Sequence, residues 1–330
     1  MTAIGPKIRR SLRSTVCTPF KYLRNLVDPP VVVLLYHRVA SLASDPEMLA
    51  VSPDNFRAQV RHLKETVPLV RFEGDWTSVS RPAVAITFDD GYADNLLEAL
   101  PILDEVGVPA TFFISTGTIG TTQEFWWHEL EHIILERQDL PACFTLNDGR
   151  FKKAWPAGTI GERQEFYNGM VRLMNDSDAG HRDDWLAQLR RWARDGAGLG
   201  PASMHRIMTI DELRLLAASR WVTIGAHTVS HSRLAALSPD GQEREITASK
   251  KQLEQWLKQE VTVFSYPFGR RCDYTRESVA ICREAGFAKA ASNFPGQAHR
   301  WTDPYQVPRH LVRDWPVELF AEKLRGFWTR

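Results

Sequence analysis

The chain has 330 residues, of which 43% are hydrophobic and 25% are charged, and its formal net charge is +1. These proportions are ordinary for a globular protein with a sizeable core, and the near-zero charge gives no reason to expect a nucleic-acid partner. The four cysteines lack zinc-finger spacing, which favours buried or idle thiols over a disulfide framework and fits an intracellular protein. These cysteines are Cys17, Cys143, Cys272 and Cys282.

The first 30 residues form a basic segment in which apolar residues recur at near-helical spacing, among them Ile8, Leu12, Val16 and Phe20. No continuous apolar run follows, so the pattern indicates neither a signal peptide nor a membrane-spanning helix. It is typical of a basic amphipathic helix on an anionic membrane surface, although a helix packed on the domain or a frayed arm gives the same pattern. We therefore expect a cytoplasmic protein or a peripheral one at the inner face of the membrane.

Predicted strands and helices alternate along residues 31–330. Ser52-Pro53-Asp54 opens one helix, because proline suits a first turn, and Thr209 with Glu212 forms a capping box at the start of another. Such alternation is typical of parallel β/α units. The predicted strands are Val31–Tyr36, 84–88, Ala110–Ile114, 222–225, 261–266, 287–291 and 307–312.

The alternation is interrupted from about residue 121 to about residue 208, where helical patterns, loops and several tryptophans occur. About seven strands in regular succession favour one α/β barrel over residues 31–330 with a helical insertion, rather than two unrelated domains. The segment 1–30 precedes this barrel.

Polar residues follow four of the predicted strands: His37, the pair Asp89 and Asp90, His227, and Phe268 in a Pro-Phe-Gly turn. In a barrel of parallel strands the chemistry lies at the carboxyl ends of the strands. We therefore expect these residues to converge on one mouth of the barrel.

The two aspartates and two histidines are the residues with the clearest chemical potential. Adjacent side chains diverge in an extended segment, so one of Asp89 and Asp90 can bind a metal while the other faces a substrate. His227 and His231 are four residues apart, a spacing that brings both imidazoles to one side of a helix or turn. Two histidines and one aspartate make a three-ligand metal site with open positions. Taken singly, the aspartates also suit a strand-end turn, and the histidines a surface pair.

Three motifs resemble those of a known family, the polysaccharide deacetylases, which are the NodB-homology group of carbohydrate esterases (family 4). A fourth, Leu35-Tyr36-His37-Arg38-Val39, resembles the branch that includes the poly-N-acetylglucosamine deacetylases. The resemblance covers about residues 31–312 except the insertion, and it implies a distorted (β/α)7 barrel with a divalent metal, usually zinc. The three motifs are Thr87-Phe88-Asp89-Asp90-Gly91, His227-Thr228-Val229-Ser230-His231 and Tyr266-Pro267-Phe268-Gly269.

Carried over by position, the resemblance implies roles for individual residues. Asp90, His227 and His231 would hold the metal, and Asp89 would be the general base. The backbone amide of Phe268 would stabilise the oxyanion. These assignments agree with the chemistry of metal-activated water and of a carboxylate base.

The sequence departs from the family pattern at two points. Many members have an arginine where this chain has Ser265, and we expect Arg309, or as second choice Arg270, to orient the base instead. In the family, a histidine of a late sequence motif is the general acid, and this motif is not clearly present in the chain. His37 is the favoured replacement, because it follows a strand end, and His310 is the rival.

The implied activity is that of a metal-dependent hydrolase acting on C–N bonds other than peptide bonds. It would remove an N-acetyl or other N-acyl group from an amino sugar in a polysaccharide, oligosaccharide or lipid-linked glycan of the cell envelope. Trp126 and Trp127 would be either a sugar-stacking wall or core residues. A non-catalytic glycan-binding protein on a decayed barrel is one alternative, against which the intact aspartates and histidines argue. An amidohydrolase acting on a non-sugar amide is another, which the sequence separates poorly.

Overall fold

The computed structural model describes residues 24–25, 27–194 and 204–328. The predicted amphipathic helix lies almost entirely outside these residues, as does Cys17. Within them, no helix has the length and apolar character needed to cross a membrane. Cys143, Cys272 and Cys282 are all free thiols, and only Cys282 is buried.

Eleven strands and nine α-helices occur in the described part of the chain. The strands are β1 (Val31–Tyr36), β2 (Arg38–Val39), β3 (Ala50–Val51), β4 (Ala83–Phe88), β5 (Ala110–Ile114), β6 (Cys143–Asn147), β7 (Lys152–Pro156), β8 (Val222–Ala226), β9 (Val263–Ser265), β10 (Lys289–Ala291) and β11 (His310–Leu311). The helices are α1 (Pro53–Thr66), α2 (Leu100–Val106), α3 (Trp126–Leu130), α4 (Ile160–Asn175), α5 (Ala179–Ala193), α6 (Ile210–Ala217), α7 (Pro239–Leu257), α8 (Arg276–Glu284) and α9 (Val317–Phe327).

Seven parallel strands form one curled sheet in the order β10-β9-β8-β5-β4-β1-β11. The order follows the chain around the sheet, and the last strand pairs with the first through Leu34 and His310. A further parallel bridge joins Ala291 of β10 to Val307, just before β11. The segment 307–311 therefore touches both edges of the sheet, and the predicted α/β fold, a distorted (β/α)7 barrel, is confirmed.

Local sequence explains why these elements form. The strands β1, β4 and β5 are buried along their whole length, as expected of parallel strands covered by helices. Ser52 precedes α1, whose first residue is Pro53, and Thr209 caps α6 in the predicted capping box with Glu212. The predicted strands nearest the carboxyl terminus prove too long, since β9 and β10 have three residues each and β11 has two.

The sequence predicts a helical insertion, but the insertion also contains β-structure. It contains α3, α4 and α5, but β6 and β7 form an antiparallel hairpin between them. Both strands have five residues and are mostly exposed. The only sequence signal for the turn is Asn147-Asp148-Gly149, in which Gly149 has a φ of +83°. The insertion returns to the barrel beside Gly91, whose carbonyl accepts a hydrogen bond of 3.2 Å from the amide of Met208.

Candidate active site

The two aspartates lie at the carboxyl end of β4, in a turn that ordinary residues resist. Asp90 has a φ of +83° and Gly91 one of +105°. The amide of Asp89 donates to Tyr36 on one side, and the amide of Ser115 donates to Asp90 on the other, at 3.0 and 3.1 Å. The turn is therefore held by both neighbouring strands, and the two side chains are buried.

His227 and His231 follow β8 on an irregular turn rather than on a helix. The carboxylate of Glu245 accepts hydrogen bonds of 2.9 Å from the amides of Val229 and Ser230, which fixes the turn. The Nδ1 of His227 lies 2.7 Å from the carbonyl oxygen of Ser265. That nitrogen must carry the proton, so the Nε2 of His227 is left as an electron-pair donor.

Asp90, His227 and His231 bring three ligand atoms together. The Asp90 Oδ1 lies 3.6 Å from the Nε2 of His227 and 3.3 Å from the Nε2 of His231. This Oδ1 is buried and has no hydrogen-bond partner among the described residues, which is costly unless a cation occupies the space.

The protonation of these three residues also suits a cation. Burial lowers the pKa of His227 to about 4 and that of His231 to about 3, so both imidazoles are neutral at physiological pH. Burial also raises the pKa of Asp90, the result expected for a carboxylate whose compensating charge is missing. One carboxylate and two neutral imidazoles fit a divalent transition metal such as zinc.

Asp89 does not join this cluster but forms an ion pair with Arg309. The Nη1 and Nη2 atoms of Arg309 each lie 2.7 Å from one carboxylate oxygen of Asp89. Burial alone would raise the pKa of Asp89, but the charge and the hydrogen bonds of Arg309 oppose it and lower the value to about 2. Asp89 is therefore an oriented carboxylate that stays ionised.

Because the side chain of Ser265 is small, there is room beside Asp89 for the guanidinium of Arg309. The Ser265 Oγ accepts a hydrogen bond of 2.7 Å from Arg309 and donates one of 3.3 Å to Asp89. The second-choice arginine, Arg270, pairs with Asp273 instead, and its side chain is 65% exposed. The structure thus places Arg309 where the sequence analysis expected an arginine to compensate for Ser265.

The two candidate general-acid histidines lie in different surroundings. His37 lines the cavity beside Asp89 and Asp90, and its buried Nδ1 has no hydrogen-bond partner among the described residues. Burial lowers the pKa of His37, while the two aspartates oppose that effect. His310 lies in β11 and its ring stacks on Phe327 at 4.0 Å. Its ring is therefore committed to the core, and the position of His37 favours it as the acid.

The Pro-Phe-Gly turn after β9 brings Phe268 to the same cavity. Phe268 has a φ of +60° and Gly269 one of +67°. A Cβ at Gly269 would lie 2.6 Å from the amide nitrogen of Asn293, so only glycine fits there. The ring of Phe268 packs at 5.0 Å against that of His231.

Backbone strain is concentrated at this site. Seven non-glycine residues in the described part of the chain have a positive φ, and four of them are Asp90, Thr228, His231 and Phe268. Such conformations cost about 1–3 kcal/mol each and persist where the surroundings hold them for a function. Nothing in the sequence itself indicated them.

A cavity of about 460 Å³ is lined both by side chains of the barrel and by side chains of the insertion. The barrel residues described above that line it are His37, Asp89, Asp90, His227, His231 and Phe268. Asn293 and Arg313 also line it, and because they follow β10 and β11, the strand-end rule could have found them. Glu47 and Leu49 come from the loop before β3, and no sequence signal marks them. The insertion contributes Trp126, Trp127, Val171 and Asn175.

Residues 77–290 match the family model for polysaccharide deacetylases. The chain belongs to this family. The Bacillus subtilis (strain 168) protein YxkH, which is named for the polysaccharide deacetylases, is 23% identical over 288 residues, covering 85% of this chain and 70% of its own.

Two solved structures share the fold. The deacetylase PplD of Streptococcus pyogenes, in complex with acetate, is 18% identical with a TM-score of 0.56 and covers 89% of this chain and 98% of its own. IcaB of Ammonifex degensii is 17% identical with a TM-score of 0.57, covering 91% and 97%. The predicted family is confirmed, and the family assignment supports N-deacetylation of a glycan, a hydrolysis of amide bonds, as the activity of this deacetylase.

Proposed function

We propose that this deacetylase is a metal-dependent hydrolase that removes an N-acetyl group from an amino sugar in a polysaccharide, oligosaccharide or lipid-linked glycan. The observation that carries the proposal is the separation of two carboxylates in one cavity. Asp90 lies among two neutral imidazoles, whereas Asp89 is held by Arg309. Adjacent residues thus have environments suited to ligand and base.

Asp90, His227 and His231 would hold the metal, which we propose is zinc. When bound, a divalent metal lowers the pKa of a bound water and polarises an amide carbonyl. The three residues are buried, and the hydrogen bond from His227 to the carbonyl of Ser265 fixes the orientation of that imidazole. This arrangement is the preorganisation that metal ligands require.

The remaining residues handle the protons and the developing charge. The Asp89 carboxylate accepts a proton from the attacking water as its oxygen bonds to the carbonyl carbon. The backbone amide of Phe268 donates a hydrogen bond to the oxyanion that forms. His37 must enter the next step as the imidazolium, a form that the charges of Asp90 and Asp89 favour. It then gives its proton to the leaving nitrogen as the C–N bond breaks, which yields acetate and a free amino sugar.

Acetate release from N-acetylglucosamine oligomers by metal-analysed protein tests the proposal, with Asp89→Asn and His227→Ala alongside. We expect release by the wild type, loss of release with the metal retained in Asp89→Asn, and loss of the metal in His227→Ala. Bound metal without acetate from any glycan, but with hydrolysis of small non-sugar amides, would make the protein an amidohydrolase of another class. A wild type that binds glycan but no metal would make it a glycan-binding protein.

We further propose that the basic segment 1–30 contacts an anionic membrane from the inner face of the cell envelope. Its last described residues lie against the carboxyl-terminal part of the chain: Arg24 donates to Gln297 at 2.9 Å and Asn25 to the carbonyl of Trp328 at 3.0 Å. Because the segment enters β1 at its amino end, it joins the barrel face opposite the cavity. Co-sedimentation with phosphatidylglycerol vesicles, but not with phosphatidylcholine vesicles, is expected. Equal binding of a protein lacking residues 1–23 would contradict the proposal.

A further inference from the structure

A buried chain of hydrogen bonds joins the insertion to the turn that carries the aspartates. Tyr92 lies two residues after Asp90, and its hydroxyl lies 3.1 Å from the indole nitrogen of Trp127 and 2.8 Å from the Nε2 of His128. The Nδ1 of His128 lies 3.4 Å from Glu131, which also accepts a hydrogen bond from Ser44. Tyr92, Trp127, His128 and Glu131 are all buried.

Chemistry fixes the direction of this chain. The indole N–H of Trp127 can only donate, and it reaches both the Tyr92 hydroxyl and the His128 Nε2, each at 3.1 Å. The Nε2 is then an acceptor, so Tyr92 donates to it and the proton of His128 lies on Nδ1, toward Glu131. Every member of the chain has a partner, so the indole of Trp127 has one favoured orientation.

That indole packs directly on a proposed metal ligand. The ring of Trp127 meets the ring of His231 edge to face, with centroids 5.0 Å apart. Phe125 stacks on Trp127 at 4.4 Å and also contacts His231 at 5.7 Å, so the three rings are mutually in contact. With Phe268 at 5.0 Å, three aromatic rings enclose the imidazole of His231. The buried Nδ1 of His231 has no hydrogen-bond partner among the described residues, so its orientation depends on this packing.

The same region does not have the geometry of a second metal site, although His128, Glu131 and His205 lie close together. The rings of His128 and His205 are stacked 3.9 Å apart and only 17° from parallel. Their nitrogen lone pairs lie in the ring planes, so no ion can lie in line with both. The guanidinium of Arg38, 2.7 Å from His205, further opposes a cation.

We propose that Tyr92, Trp127 and His128 are positioning residues for the metal ligand His231. The hydroxyl of Tyr92 and the imidazole of His128 fix the orientation of the Trp127 indole. The indole in turn fixes the orientation of the His231 ring. The insertion is then part of the metal centre as well as a wall of the cavity. The proposal rests on the proposed function, because it assumes that His231 binds a metal.

Cobalt(II) binding by Tyr92→Phe tests this step without requiring a substrate. We expect cobalt affinity to fall about tenfold, the lower end of the loss seen when groups that orient metal ligands are removed, and the visible absorption of bound cobalt to change. Tyr305→Phe is the matched control, because its hydroxyl also donates a hydrogen bond, to the backbone carbonyl of Phe287 at 2.9 Å, but takes no part in the contacts around His231. It should leave both readouts unchanged. Trp127→Phe, which keeps a ring but loses the N–H, is a second variant should Tyr92→Phe not fold.

The possible outcomes distinguish failure of the positioning role from failure of the proposed deacetylase function. Wild-type affinity and spectrum in both folded variants would overturn the positioning role and leave the deacetylase proposal intact. A wild type that binds no cobalt would overturn both. Cobalt binding without acetate release would count against the proposed substrate, and the comparison of Tyr92→Phe with Tyr305→Phe would still decide the positioning role.

Discussion

Replacing Arg309 with methionine is expected to destabilise the protein in a pH-dependent way. The side chains have similar length, but the Asp89 carboxylate would then be buried without its partner. The pKa of Asp89 falls from 3.8 to about 2 in the folded protein, and one pKa unit corresponds to about 1.4 kcal/mol, so the folded environment favours the ionised carboxylate by roughly 2 kcal/mol at neutral pH. Leaving the carboxylate uncompensated raises the expected loss to about 3–5 kcal/mol.

The dependence on pH has a definite sign. In the wild type the folded-state pKa of Asp89 is lowered, so its contribution is present above the unfolded-state value of 3.8 and is lost as the pH falls through about 2. In Arg309→Met, burial is no longer opposed and the pKa of Asp89 rises above 3.8. The carboxyl group is then protonated at mildly acidic pH, which removes most of the penalty.

Urea unfolding at pH 7 and pH 4 measures both effects. The free energy of unfolding of Arg309→Met should lie several kcal/mol below that of the wild type at pH 7 and clearly closer to it at pH 4. Arg214→Met is the matched control, since that arginine is paired with Asp211 and the two side chains are 53% and 86% exposed, and it should change stability little at either pH. An equal deficit at both pH values would refute the electrostatic reasoning.

Three further predictions follow from the site. Zinc added to chelator-treated protein should raise the free energy of unfolding by about 2.7 kcal/mol at a hundredfold excess over Kd, and Asp90→Ala should abolish this effect in a thermal-shift assay. His37→Ala should lower kcat for acetate release by about 100-fold or more with the metal retained, whereas His310→Ala should mainly lower Tm; the reverse pattern would exchange their assignments. Gly269→Ala should lower both Tm and activity, because its Cβ would meet a backbone nitrogen at 2.6 Å, and an unchanged Tm would show that the turn can relax.

The sequence predicted those features that depend on local pattern and chain order. The uniformly apolar strands β1, β4 and β5 were placed to within a residue, because parallel strands buried on both faces have a simple pattern. The strand-end rule brought His37, Asp89 and His227 to one cavity. Arg309 was expected from the need for an arginine to compensate for Ser265, and its position just before β11, which pairs with β1, brings it close to β4 in the closed sheet.

Features that depend on tertiary contacts between distant segments were not predictable. The bond from Tyr92 to His128 joins residues 36 positions apart across an insertion with no regular pattern. The left-handed backbone at Asp90 and His231 is imposed by surrounding hydrogen bonds rather than by residue type. The hairpin of β6 and β7 was missed because its strands are mostly exposed and carry no continuous apolar run, a pattern that loops also show.

The closure of the barrel depends on very little main chain. β11 has only two residues, which pair with Leu34 and Leu35, and a single bridge from Val307 to Ala291 completes the ring on the other side. We call residues 307–311 the seam. Arg309 lies within it, between the bridge to β10 and the pairing with β1. If the seam opens, the guanidinium leaves Asp89 at the same moment, while the longer strands β1, β4 and β5 stay paired. Enzymatic activity would then be lost before global unfolding is detected. Heat or mild denaturant should therefore inactivate this deacetylase while most of its secondary structure is still intact.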